Sequence, residues 1–250
     1  MLLAIDVGNT NITIGVFDKE KLITTFRMTT KMQRTSDEYG ITIMDLLEHN
    51  EISHNEIKDA IISSVVPNVM HSLCSGMIKY FDIQPMVVEP GVKTGIRITS
   101  ENPAQIDAVG AYELYGGPVV VIDYGTATTY DFVNGNGDFF AGVTSPGIRI
   151  SAKALWEDAA KLPEIEIKKP STILARETIS SMQAGLIFGQ IGQTEYIVKN
   201  MIKESGLKDV KVVATGGLGK IIANETKYIQ YYNPTLTLEG MRLIYAKQKR

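Results

Sequence analysis

The apolar positions of the chain repeat with two periods. Leu2 to Ile5 is an unbroken apolar run that stops at Asp6-Val7-Gly8-Asn9-Thr10-Asn11. Ile12, Ile14 and Val16 then alternate with Thr13 and Gly15, the period-two signature of a strand. A turn at Asp18-Lys19-Glu20-Lys21 leads to a third predicted strand over 22–28. Beyond it the spacing lengthens: Tyr39, Ile43, Leu46 and Leu47 predict a helix over 35–48, with Ser36 as its N-cap. A strand over 59–65 and a helix over about 68–80 complete the first series.

The same order then returns. Val119, Val120, Val121 and Ile122 form a buried-strand run ending at Asp123-Tyr124-Gly125-Thr126-Ala127-Thr128-Thr129. A hairpin follows, with strands over 130–133 and 139–143 joined by the turn 134–138. Apolar run, Asp-x-Gly, strand, turn, strand occurs twice, which predicts two similarly folded halves, 1–112 and 113–250. The second half continues with helices over 150–160 and 178–203, a strand over 210–214, and Thr215-Gly216-Gly217-Leu218-Gly219 opening a further helix. Strands alternating with helices make this an α/β chain.

With 250 residues, 44 % apolar and 21 % charged, the composition is that of an ordinary globular chain, which excludes disorder, collagen and coiled coil. A net charge of −3 and the lack of any basic run argue against nucleic acid as a partner. Cys74 is alone, so neither an intrachain disulfide nor a thiolate metal site is expected, and a reducing compartment fits. No basic leader precedes Asp6, and no apolar stretch approaches the ~20 residues of a membrane helix. The expectation is a cytoplasmic protein with no membrane partner.

A carboxylate at the C-terminal end of a buried strand, followed by Gly and hydroxyl or amide residues, suits a phosphate and its Mg²⁺. Backbone N–H groups of the turn meet phosphate oxygens while the carboxylate takes the metal or its water. Asp6 and Asp123 are the candidates. One Asp-Gly turn alone is a common conformational device, but two in matching contexts predict facing turns that clamp one polyphosphate between the domains. The glycines of Ala214-Thr215-Gly216-Gly217-Leu218 either let adenine or ribose lie against backbone or allow a close strand–helix contact. No Gly-x-x-x-x-Gly-Lys-(Ser/Thr) occurs, so this is not a P-loop protein. His49, His54 and His71 share no spacing with a nucleophile, Cys74 falls on an apolar helix face, and Trp156 with Ala152, Leu155 and Ala159 forms a stripe suited to a core or an interface.

Two Asp-x-Gly turns opening duplicated halves, with a late Gly-Gly turn, resemble the superfamily of acetate kinase, sugar kinases, Hsp70 and actin. Within it the chain is similar to the type III pantothenate kinases over essentially its whole length. The matching segments include Asp6–Asn11, Ser63-Ser64-Val65-Val66-Pro67, Pro90-Gly91-Val92-Lys93-Thr94-Gly95, Asp123–Thr129, Ala159-Ala160-Lys161-Leu162-Pro163, Ser181-Met182-Gln183-Ala184-Gly185, Ala214–Leu218 and Leu236-Thr237-Leu238-Glu239-Gly240. The resemblance implies two duplicated ribonuclease H-like domains of the actin-like ATPase type, each a mixed five-stranded sheet flanked by helices. It implies ATP-dependent phosphorylation of pantothenate to 4′-phosphopantothenate, the first step of coenzyme A biosynthesis. ATP would be bound by Asp6, Val7, Gly8, Asn9, Thr10, Asn11, Ile12, Thr13, Thr126, Gly216 and Gly217, with Mg²⁺ at Asp6, K⁺ or NH₄⁺ at Asp123 and pantothenate at Thr178. It also implies a homodimer with most of its interface in the second domain.

The chain departs from the family in one place. Relatives carry Gly-x-Asp-Arg after Asn-Pro, whose Asp takes the proton of the pantothenate hydroxyl and whose Arg helps hold the substrate. Here Asn102-Pro103-Ala104-Gln105 runs directly into Ile106-Asp107, about six residues short, and Ser100 stands where relatives often have a substrate-side Tyr. A segment that belongs to the protein but is missing from these 250 residues is the expectation. A genuine deletion is the alternative, and it would favour a catalytically inactive nucleotide-binding or regulatory relative. Asp107, where relatives usually have Asn, is expected to be a helix N-terminal residue favoured by the helix dipole, and the base role is not carried over to it.

Overall fold

The structure is a computed structural model that describes residues 1–30, 33–89, 91–97 and 106–249. It divides into two compact units. Among the described residues the first holds 1–95, 106–110 and 237–249, and the second 96–97 and 111–236.

In the first unit, β1 (Leu2–Val7), β2 (Asn11–Asp18), β3 (Lys21–Thr29), β4 (Asp59–Ser64) and β5 (Met86–Val87) form one sheet in the order β3-β2-β1-β4-β5. The central strand β1 runs antiparallel to β2 and parallel to β4. Both faces of the centre are covered, so β1 reads as a continuous apolar run instead of an alternating one. On one face Leu3, Ile5, Val7, Ile12, Ile14 and Val16 pack in one core with residues of α1 (Ser36–Glu48) and α2 (Pro67–Phe81), among them Tyr39, Ile43, Leu73 and Met77. The other face includes Gly15, where a Cβ would lie 2.9 Å from Leu238 Cδ1. Leu238 belongs to α7 (Leu236–Gln248), the last of the chain's helices after α3 (Ile106–Tyr115), α4 (Ile148–Asp158), α5 (Thr178–Ser205) and α6 (Gly219–Ala223).

The cap of α1 differs from expectation: it is Thr35, not Ser36. Glu38, three residues on, accepts from the Thr35 N–H at 2.7 Å while its own N–H donates to Thr35 Oγ1 at 3.3 Å. That reciprocal box needs the spacing Thr35–Glu38.

The second unit repeats the plan. Its sheet comprises β6 (Val119–Tyr124), β7 (Ala127–Val133), β8 (Phe139–Pro146), β9 (Lys211–Thr215) and β10 (Tyr231–Tyr232), in the order β10-β9-β6-β7-β8. Taken from the other edge this is the order of the first sheet, and β6 is antiparallel to β7 and parallel to β9. Val120, Ile122, Tyr130 and Phe132 share a core with Ile148 of α4 and Ile187 and Val198 of α5. Within that core the Thr194 hydroxyl lies 2.8 Å from the Tyr124 hydroxyl and 3.2 Å from that of Tyr130, to which Gln190 also donates.

The sequence boundary at 112 needs one adjustment. The units change between Gly110 and Ala111, and α7 belongs from Thr237 onward to the first unit, not to the second half. The physical reason is the apolar face of α7: Leu238, Met241 and Ile244 are buried, and Leu238 fills the space left by Gly15.

Candidate active site

The first candidate turn is built by strand register. Asp6 pairs with Thr13 of β2 and with Ser63 of β4, so one carboxyl and two hydroxyls share a face near the C-terminal end of β1. The Gly8 N–H donates to the Asn11 carbonyl at 3.0 Å, and Thr30 staples the turn from outside, its hydroxyl donating to the Gly8 carbonyl at 2.7 Å and its N–H to the Thr10 carbonyl at 3.0 Å. Asn9, Thr10 and Asn11 are exposed. Val7 and Ile12 are fully buried core residues, which leaves only their backbone to face a ligand.

The Asp6 carboxyl is largely desolvated and receives no hydrogen bond from a described residue. Burial is the main reason its pKa is pushed up to about 7, and the nearby carboxylate of Asp107 adds to the shift. Asp107 lies in the first turn of α3 as expected, but that placement also brings it within electrostatic reach of Asp6. Its Oδ1 accepts from the Thr237 hydroxyl of α7 at 2.6 Å. Burial raises its proton affinity and the Thr237 bond opposes that shift.

The second turn has the same register: Asp123 pairs with Thr129 and with Thr215. Two glycines shape the space around its carboxyl. A Cβ on Gly216, whose φ is +89°, would lie 2.6 Å from Asp123 Oδ1 and from the Tyr124 nitrogen, and one on Gly125 would lie 2.9 Å from Asp123 Oδ2. The Tyr232 hydroxyl donates to the Gly216 carbonyl at 3.1 Å, fixing the turn. Thr126 and Gly217 are exposed.

Thr178 is exposed at the start of α5 and lines an open cavity of about 640 Å³ with Ser151, Leu155, Leu162, Ser181, Met182, Gly185 and Leu186. Three hydroxyls on an otherwise apolar wall suit a small amphipathic molecule. Ser100 and Asn102 to Gln105 lie outside the described residues. The expectation of a segment missing from the 250 residues is corrected: the full sequence is continuous from Gln105 to Ile106, so the Gly-x-Asp-Arg segment is absent from the chain itself.

Among the described residues no group of three or more His, Cys, Asp or Glu side chains could hold a metal. The oxygen donors present fit a different mode. Mg²⁺ in nucleotide sites takes one or two carboxylates plus phosphate oxygens and water, and the bare, desolvated Asp6 carboxyl can supply such a ligand. Asp123 presents a carboxylate against which Gly125 and Gly216 pack closely, an approach that a Cβ at either position would block. Ser63, Thr129 and Thr215 fall within the matching segments with no individual role expected of them, and Asp107 is expected only as a helix N-terminal residue. The hydroxyls were legible only through pairing register, since a small hydroxyl residue at a strand end is otherwise unremarked.

No helix among the described residues is long and apolar enough to cross a membrane. Residues 2–200 match the family model of type III pantothenate kinase. A type III pantothenate kinase of Agathobacter rectalis is 64 % identical, with 100 % of this chain and 98 % of that protein covered. Their alignment spans 256 positions against the 250 residues here, so the relative has residues that this chain lacks. A type III pantothenate kinase of Bacillus cytotoxicus is 48 % identical, with coverage of 99 % and 96 %. A solved structure from Campylobacter jejuni, described as a Baf family transcriptional activator, shares the fold with a TM-score of 0.60 at 20 % identity, covering 99 % of this chain and 98 % of its own. The duplicated sheets are those of the actin-like ATPase and sugar kinase fold, and by family model and full-length identity the chain belongs to the type III pantothenate kinases.

Proposed function

We propose that the chain phosphorylates pantothenate to 4′-phosphopantothenate at the expense of ATP, the first step of coenzyme A biosynthesis. The observation that carries this reading is the 64 % identity over the full chain to a type III pantothenate kinase. In this assignment Asp6, Val7, Gly8, Asn9, Thr10, Asn11, Ile12, Thr13, Thr126, Gly216 and Gly217 bind ATP. Val7 and Ile12 do so through backbone alone, since their side chains are buried.

Asp6 holds Mg²⁺, which neutralises phosphate charge in the transition state. Asp123, against which Gly125 and Gly216 pack, holds K⁺ or NH₄⁺. Thr178 and the hydroxyl-studded cavity at the start of α5 take pantothenate. Phosphoryl transfer passes through a loose transition state and asks mainly for positioning and charge neutralisation. The loss of Gly-x-Asp-Arg therefore lowers the rate but leaves the reaction in place.

A homodimer fits α5. Gly185, Gly189 and Gly192 recur along one exposed face with nothing within 4 Å of their Cβ positions, and Ile173, Leu174 and Ile179 are exposed nearby in sequence. A second copy of α5 can approach such a face closely. A cytoplasmic location fits the single cysteine and the use of ATP.

Complementation tests the reading. A bacterial strain whose own pantothenate kinase is switched off should grow when this chain is expressed and stop when it carries Asp6→Asn. Failure to grow at normal expression of the soluble chain would instead favour a nucleotide-binding relative that has lost catalysis with the missing segment.

A further inference from the structure

The peptide between Gly216 and Gly217 has no side chain on either side to restrict which way it faces, so its orientation is set by hydrogen bonds. The Gly216 carbonyl accepts from the Gly219 N–H at 3.1 Å, within the turn, and from the Tyr232 hydroxyl at 3.1 Å, from another strand. In a planar trans peptide the C=O and N–H point in opposite directions. Holding the carbonyl toward Tyr232 therefore turns the Gly217 N–H to the other side. Gly217 is exposed, nothing lies within 4 Å of the Cβ it lacks, and no described residue accepts from its N–H.

Tyr232 is held from two directions. It pairs with Ala214 across the parallel β9–β10 ladder, and the Gln230 and Asn233 N–H groups flanking that pair donate to the Val212 and Ala214 carbonyls at 3.1 and 2.8 Å. Its ring is packed as well: a Cβ on Gly219 would lie 2.9 Å from Tyr232 Cε2 and 3.0 Å from Tyr124 Cδ2, so two tyrosine rings close on the first residue of α6. Tyr124 follows Asp123 in sequence, and the same Gly216 lies against the Asp123 carboxyl and the Tyr124 nitrogen. One hydroxyl thus bears on the turn that joins these groups.

We propose that Tyr232 is a positioning residue for the nucleotide: its hydroxyl holds the Gly216-Gly217 peptide in the orientation that presents the Gly217 N–H to ATP. The inference rests on the assignment of this turn to ATP and adds to it a residue on the edge strand β10 that acts through the Gly216 carbonyl.

The test is isothermal titration calorimetry of the full chain with the non-hydrolysable β,γ-imido analogue of ATP and magnesium chloride. Tyr232→Phe keeps the ring against Gly219 and removes only the donor. Its dissociation constant for the analogue should rise about two- to tenfold at unchanged stoichiometry. In turnover KM for ATP should rise with it, while kcat and KM for pantothenate stay within about twofold. Tyr231→Phe, the neighbouring change on the same strand, should leave the analogue's affinity as it is. An unchanged dissociation constant in Tyr232→Phe overturns the proposal, and a lower melting temperature with that affinity intact would mark the hydroxyl as a stabilising contact only. An equal loss of affinity in Tyr231→Phe also overturns it, because the effect would then belong to the strand and not to the hydrogen bond. A wild type that does not bind the analogue defeats the ATP assignment itself, an outcome distinct from a wild type that binds it and a Tyr232→Phe variant that binds it equally well.

Discussion

At the scale of single residues, the site depends on groups in costly surroundings. Gly216 adopts φ +89° and leaves no space for a Cβ beside Asp123 and the Tyr124 nitrogen. Gly216→Ala should therefore cost about 1–3 kcal/mol in urea unfolding and weaken monovalent-cation activation. Asp6 carries a second cost. Its folded pKa of about 7 lies above its ordinary value of 3.8, so the folded state binds the extra proton more tightly than the unfolded chain does. The stabilisation from that proton is complete below about pH 4 and fades as pH rises through about 7. In thermal melts of metal-free protein, wild type should lose stability relative to Asp6→Asn over that window, by about 2–4 °C for each kcal/mol involved. A difference between the two proteins that does not change with pH would contradict the shift.

At the scale of elements, the two units are held by the same device, a central strand paired antiparallel to its successor and parallel to a later strand. The period-two pattern after Asp6 and Asp123 made those hairpins legible, and the 3.6-residue spacing located α1, α2 and α5 to within a few residues. β5 and β10 were not legible, because two-residue strands carry no period. α7 was missed despite buried Leu238, Met241 and Ile244, whose spacing of three residues is too short a stretch to settle a period on its own. The network of Tyr124, Tyr130, Gln190 and Thr194 lay beyond any sequence pattern, since its tyrosines bond to residues 60 or more positions away. Its energetic weight is testable. Thr194→Val removes the partner of the buried Tyr124 hydroxyl and leaves Tyr130 with Gln190 alone, which should cost about 1–3 kcal/mol, whereas a loss under half of that range would mean Tyr124 finds another partner.

At the scale of the whole molecule, the duplication seen as a recurring Asp-x-Gly proves to be a duplication of sheet order and register. Its limits were misread at one point, because α7 from Thr237 returns to the first unit. Nothing in the local composition of 236–248 announces which sheet it will cover, and only the gap at Gly15 shows it. Among the candidate residues, the two Asp turns stood out in the sequence because a chemical reason and a repeat coincided, and the Gly-Gly turn because two glycines follow a strand. Asp107 did not, since a helix-start aspartate has an adequate local explanation. The assembly proposed through α5 has its own test: Gly189→Arg should convert a dimer into a monomer in light scattering, and wild type found monomeric would remove that interface. The most direct measurement concerns the reaction in the absence of Gly-x-Asp-Arg. Purified protein incubated with pantothenate, ATP, magnesium chloride and potassium chloride should yield 4′-phosphopantothenate and ADP in equal amounts by mass spectrometry, with no product from Asp6→Asn. Bound ATP with no phosphorylated pantothenate in the wild type would contradict the account and leave a nucleotide-binding protein without the kinase step.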